Sequence, residues 1–268
     1  MVTKNIQKIL ALLTINKQSY EWYNKDPTLF NHYRLNIEEN KILGYICTRY
    51  PHALRIMAEF LSSRRSQNSQ KYLPLFYKLI GHEKWNRFWE SYLHSQIHSG
   101  MLTSNQEAMN FSEFIKEHHD ISLIEKSVLK FEYAKLEVLY NAKQFLIKVA
   151  VQETSENSYP FINPAYQVVY FNFDILQIIN DIKNNSVGNY IQNETKLLIC
   201  STWDGLNSVV LKFSSQLFEI IKLCKGRMHV LELHKLLSNT LNNKLSFKNI
   251  FEQLNATRIM AYCLQKVE

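Results

Sequence analysis

The sequence predicts an α+β protein: an all-helical N-terminal domain over 1–150 and a smaller mixed domain over 151–268 built on a small antiparallel sheet. Three observations predict it. Apolar residues in the first half recur at intervals of three and four. After about residue 142 the apolar runs turn β-branched and aromatic. Between the two regimes, YPFINP (159–164) carries two prolines in five residues, which no helix interior accommodates. The length of 268 residues fits about two domains. Hydrophobic residues at 46% and charged residues at 21% supply a core and too little charge for disorder.

Helical spacing marks IQKILALL, ILGYICTRY, ALRIMAEFL, LPLFYKLIG and WNRFWESYL. Pro51 separates the second from the third, because proline has no amide to donate and restricts the residue before it. SSRRSQNSQ (62–70) reads as a polar loop and the leading candidate for a mobile segment. Ser104 with Glu107, and Ser122 with Glu125, have capping-box spacing. The second pair opens a long helix with Ile124, Val128, Phe131 and Leu136 near one face. Further on, 159–164 reads as a loop and AYQVVYFNF (165–173) as a strand, and Asp174 caps a short helix. TKLLICSTW (195–203) and LNSVVLKF (206–213) flank Asp204-Gly205, a strong hairpin signal. Ser214 caps QLFEIIKLCK, with Gly226 as its terminating glycine. VLELHKLLSNTL follows, then SFKNIFEQLNA with Ser246 as its cap. Strand, strand, helix, helix, helix is the order of a winged-helix-like domain.

The chemistry-bearing motifs are few. No apolar run approaches the ~20 residues of a membrane span, and the N-terminus lacks a small-residue cleavage site. Cys47, Cys200, Cys224 and Cys263 form no CxxC pair and sit among apolar neighbours, as buried thiols of a reducing compartment do. The expectation is a cytoplasmic protein with no membrane role. Phosphate-binding glycine loops, a nucleophile elbow and HExxH are absent from the sequence. His94 and His98 stand four apart, followed by His118 and His119, but a metal site needs a third ligand, and Glu90 and Glu107 fit no ligand spacing. These read as surface or partly buried histidines, and His229 and His234 as helix-surface residues. No catalytic residue, metal or cofactor is expected in this chain.

The net charge of +7 has one local excess, over residues 41–90: Lys41, Arg49, Arg55, Arg64, Arg65, Lys71, Lys78, Lys84 and Arg87 against Glu59, Glu83 and Glu90. A solvated helical surface is the plain reading; an acidic partner or a nucleic acid is the other. A DNA-binding transcriptional regulator is therefore the second functional class. Against it, SFKNIFEQLNA offers Lys248 and Asn249 but also Glu252 and is half apolar, whereas a DNA-reading helix carries several cations.

Peptide recognition suits these residues better. A hairpin that ends in an unprotected strand can accept a peptide as an added strand. Here the strand is Ser208, Val209, Val210, Leu211, Lys212 and Phe213, with Phe247, Ile250, Phe251 and Leu254 lining an apolar groove beside it. The competing reading of each is ordinary core.

The run TKLLICSTWDGLNSVVLKFSSQLFEIIKLCKGRMHVLELHKLL, followed by FKNIFEQLNATRIM, resembles the PqqD-like domains that bind leader peptides of ribosomally made natural products. It departs from them at Ser214-Ser215, where many carry Asn-x-Thr-Ala. Upstream, Tyr33-Arg34-Leu35, Arg49-Tyr50-Pro51, Trp85-x-x-Phe88-x-x-x-Tyr92, Phe111-x-x-Phe114-Ile115 and Phe131-Glu132-Tyr133-Ala134 resemble the helical domain, described as DNA-binding, that accompanies multinuclear iron enzymes of methanobactin-type biosynthesis. Ile162-Asn163-Pro164 is similar to the joint between those two domains. Together most of the chain resembles the MbnC/HvfC-type partner proteins. The resemblance implies a non-catalytic subunit that forms a heterodimer with a TIM-barrel iron-dependent oxidase, which holds the iron. It also implies binding of the precursor peptide's leader and presentation of its Cys-containing core.

Overall fold

The computed structural model describes residues 4–28, 33, 35–95, 102–118, 120–143, 158–186, 188, 190–240 and 244–263. The chain is α+β, with helices first and two small antiparallel sheets among later helices. It divides into two compact units, Met1–Glu125 and Lys126–Glu268.

The first unit holds α1 (Lys4–Ile15), α2 (Lys17–Lys25), α3 (Ile37–Arg49), α4 (Pro51–Tyr72), α5 (Pro74–Ser95) and α6 (Ser104–Lys116). Asn36 and Glu39 form a reciprocal capping box at the start of α3, and Pro51 opens α4 at its first turn, where its missing amide costs nothing. Ile9, Leu12 and Leu13 of α1 pack with Tyr20, Tyr23, Leu43, Cys47 and Leu54. A second, aromatic centre forms where Phe111 of α6 meets Trp85, Trp89 and Tyr92 of α5 at 4.9, 5.0 and 5.3 Å.

The expected loop at 62–70 is helix, the middle and end of α4. The segment contains no glycine or proline to break it, and three of its four serines are buried packing residues: Ser62, Ser66 and Ser69 recur at four and three on one face. Ser62 donates to the Ile15 carbonyl at 3.3 Å, and Ser66 accepts from Trp85 Nε1 at 2.9 Å. Small side chains let α4 approach its neighbours closely, so a polar-looking stretch is an interior face. The Ser104–Glu107 cap is also replaced. Thr103 and Gln106 form the box, while Glu107 is buried and chelated by Arg65. The Ser122–Glu125 box forms as expected, Ser122 N donating to Glu125 at 2.7 Å and Glu125 N to Ser122 at 3.2 Å.

Most of α7 (Leu123–Ala142) belongs to the second unit. The contacts of α7 explain this. Lys130 donates to the Tyr170 carbonyl at 2.7 Å, and Phe131 meets the Phe171 ring at 6.4 Å. The other elements of this unit are β1 (Tyr159–Ile162), β2 (Tyr166–Phe173), α8 (Ile175–Lys183), β3 (Gln192–Ser201), β4 (Ser208–Lys212), α9 (Ser215–Leu223), α10 (Val230–Thr240), α11 (Lys244–Ala256) and β5 (Met260–Cys263). Asp174 caps α8 through Leu176 N and Gln177 N, and Ser214 caps α9 through Leu217 N.

Two further expectations change here. The stretch from Tyr159 to Ile162 is a strand rather than a loop, paired with β5 so that Pro160 stands opposite Tyr262. Pro160 fits because Pro160 and Ile162 turn their main-chain groups away from β5: Gly226 N donates to Pro160 O, and Ile162 N to Cys224 O. Ser246 lies inside α11 rather than at its cap, since the helix extends back to Lys244. Leu198, Leu211, Leu217, Ile220, Phe251, Leu254, Met260 and Tyr262 make one core under both sheets.

Candidate functional site

The three-stranded sheet has the order β2-β3-β4, so β4 is an edge. Asp204-Gly205 does form the turn, but as part of a four-residue connection closed by Thr202 N donating to Asn207 O at 2.8 Å. Only Gly205 takes a positive φ, 68°. Asp204 fastens the turn: its carboxylate accepts from Thr202 Oγ1 at 2.6 Å, from Leu206 N at 3.1 Å and from Arg258 Nη2 at 2.6 Å. Burial opposes its charge, but those donors outweigh the effect and hold its carboxyl below the usual range.

The register of the hairpin decides which way β4 faces. Phe213 N donates to Lys196 O, and Thr202 N to Asn207 O. Alternation along an antiparallel ladder then directs the main chain of Val209 and Leu211 at β3, and the amides and carbonyls of Ser208, Val210 and Lys212 outward. By side chain the opposite set is used. Val209, Leu211 and Phe213 pack on the core under the sheet.

The other edge, β2, is partly occupied from within the chain. Its outward-facing Tyr170 carbonyl takes the Lys130 ammonium, and Tyr166 N donates to Pro164 O at 3.1 Å. The outward groups of Ser208, Val210 and Lys212 have no such partner among the described residues. The two edges are therefore unequal, and β4 is the open one. The sequence offers no direct signal for this asymmetry, since it depends on which strand the Lys130 side chain reaches.

The expected groove residues are distributed differently. Leu254 is 0% exposed and Phe251 7%, so both are core, and Ile250 packs half-buried against them. The side chain of Phe247 lies outside the described residues. An amphipathic third helix buries its apolar face on the sheet, and that requirement claims Phe251 and Leu254 first.

His94 is exposed near the end of α5. His118 packs against the Phe88 and Phe114 rings at 5.4 and 4.8 Å, and His229 against Tyr159 at 4.1 Å. His98, His119 and the His234 side chain lie outside the described residues. Among the described residues no three His, Cys, Asp or Glu gather as metal ligands. All four cysteines are buried and free. Burial pushes the Cys47 thiol up to about 11, against a smaller lowering by its Tyr23 hydrogen bond, and Cys200 up to about 12, so neither is a thiolate nucleophile near neutrality. No helix among the described residues is long and apolar enough to cross a membrane.

No protein-family model and no curated protein matches the chain.

Proposed function

We propose that this protein is a non-catalytic peptide-recognition subunit. It binds the leader of a ribosomally made precursor as an added strand on β4, through a PqqD-like, winged-helix-like domain. It then presents the Cys-containing core to a TIM-barrel iron-dependent oxidase with which it pairs. The open β4 edge carries this reading: an outward row of main-chain donors and acceptors, while the opposite edge of the sheet, β2, is already engaged by Lys130. The strand, strand, helix, helix, helix order of β3, β4, α9, α10 and α11 supports it, as does the resemblance of those segments to leader-binding domains.

The leader encoded with such a precursor is titrated against the folded protein. Val210→Pro removes one outward amide and weakens binding at least about tenfold, or ~1.4 kcal/mol. Val168→Pro removes an outward amide on β2 and leaves affinity unchanged. Circular dichroism establishes that each variant is folded. Full-strength binding by folded Val210→Pro protein excludes β4 as the leader site, and loss in Val168→Pro alone moves the site to β2. The precursor is oxidised only when the oxidase is added; oxidation by this chain alone overturns the assignment as an accessory subunit.

A further inference from the structure

A cleft of about 570 Å³ lies between α4 and α5, within the size range of small-ligand sites. It belongs wholly to the first unit and is independent of the β4 reading. Its floor is Ser62, Ser66 and Trp89. The bond between Ser66 and Trp85 sets an antiparallel register of α4 on α5, which gives the cleft two unlike ends. Extended along the lining residues, that register sets Glu59 toward Glu90 and Leu93, and Gln70 toward Tyr77 and His82.

The carboxylate end lacks a firm countercharge. Among the described residues Glu59 reaches only Arg55, at 4.0 Å with both side chains exposed, and Glu90 has no ion-pair partner. The other end is built across a break in α5. Gly81 takes φ 77° and ψ 170°, and Tyr77 before it meets His82 Nδ1 after it at 3.3 Å. His82 Nε2 accepts from Asn86 Nδ2 at 2.9 Å, so the neutral ring carries its proton on Nδ1 and gives it to the Tyr77 oxygen. That leaves the Tyr77 hydroxyl hydrogen free to donate. Trp89 is 5% exposed, and its Nε1, a donor only, is buried with no partner.

We propose that this cleft binds an extended basic peptide segment, its Lys or Arg side chain at Glu59 and Glu90 and its carbonyls toward the donors of Tyr77 and Trp89. Carboxylates beside an indole suit an ammonium or guanidinium. The helical rise from Glu59 to Gln70 is about 16 Å, the reach of about five extended residues.

The test is calorimetry with three probes at about 0.15 M salt, where exposed charges are screened beyond about 8 Å. The probes are end-blocked Ala-Arg-Ala-Lys-Ala, its acidic counterpart Ala-Glu-Ala-Asp-Ala, and spermidine. The basic peptide binds, the acidic one does not, and spermidine binds at least about tenfold more weakly. Glu59→Gln with Glu90→Gln weakens the basic peptide at least about tenfold; Glu219→Gln, in the other unit, has no effect. Glu90→Gln alone serves if the double variant fails to fold. Equal binding of the acidic peptide, no binding of the basic one, or unchanged affinity in the carboxylate variants overturns the proposal. Spermidine binding as tightly as the peptide overturns the peptide assignment in favour of a free-cation site.

Discussion

Glu107 gathers more of the helical unit around it than any sequence motif announces. It accepts from Arg65 Nε and Nη2 at 2.8 and 2.9 Å and from the Tyr92 hydroxyl at 2.8 Å, while Arg65 Nη1 also donates to the Ile15 carbonyl at 2.9 Å. Burial, then the nearby Glu107 charge and hydrogen bond, push the Tyr92 phenol up, so it stays a donor at any working pH. Removing one member of such a buried pair strands the other charge. Glu107→Ala is expected to lower unfolding free energy by about 3–5 kcal/mol in urea titration. Arg65→Met with Glu107→Leu, which removes both charges, is expected to lose much less, and equal losses would refute stranding as the cause. In the sequence Glu107 reads as a cap because its spacing from Ser104 fits one. Spacing along a helix says nothing about a partner 42 residues away.

At the scale of elements, periodicity located helices well where their buried faces are apolar, as in α1, α8 and α9, and missed where they are not. The buried serines of α4 carry no hydrophobic signal, so a helical interior read as a loop. The strand β1 was hidden by its proline, and β5 by its short length, four residues of which all are buried. The hairpin of β3 and β4 was legible from Asp204-Gly205 because that dipeptide has a local conformational reason to turn. Of the candidate residues, the strand β4 is legible in the sequence, while the burial of Phe251 and Leu254 is not, since apolar residues on α11 look alike in sequence whether exposed or in the core. Limited proteolysis is accordingly expected to spare 62–70. The break in α5 makes a cleaner test. Gly81 has φ 77° with nothing within 4 Å of where a Cβ would sit. Gly81→Ala therefore meets no clash, and any loss comes from the backbone alone, about 1–3 kcal/mol by urea denaturation. No loss would mean that the break is relieved by local rearrangement.

For the molecule as a whole, two carboxylates tie stability to acid in separate units. Glu125 in the first and Asp204 in the second are each disfavoured by burial. Donors overcome this: Lys84 at 2.7 Å with Ser122 for Glu125, and Thr202, Leu206 N and Arg258 for Asp204. Both carboxyls titrate below their ordinary range. A group lowered in the folded state stabilises above its unfolded pKa and loses that contribution as pH falls through its folded pKa. The urea midpoint is expected to hold from neutrality to about pH 5 and to fall below about pH 4. Glu125→Gln and Asp204→Asn should each flatten that fall, and an unchanged acid limb in both would exclude these groups as its origin. The open β4 edge has a further consequence, for how the protein behaves in concentrated solution. A row of unpaired amides will template any strand, including the same edge on another copy. The exposed Lys212 on β4 is then a guard: its like charge opposes self-pairing, and under the proposed strand addition it favours a guest strand with an acidic residue opposite it. Colloidal stability and choice of guest thus meet in one side chain.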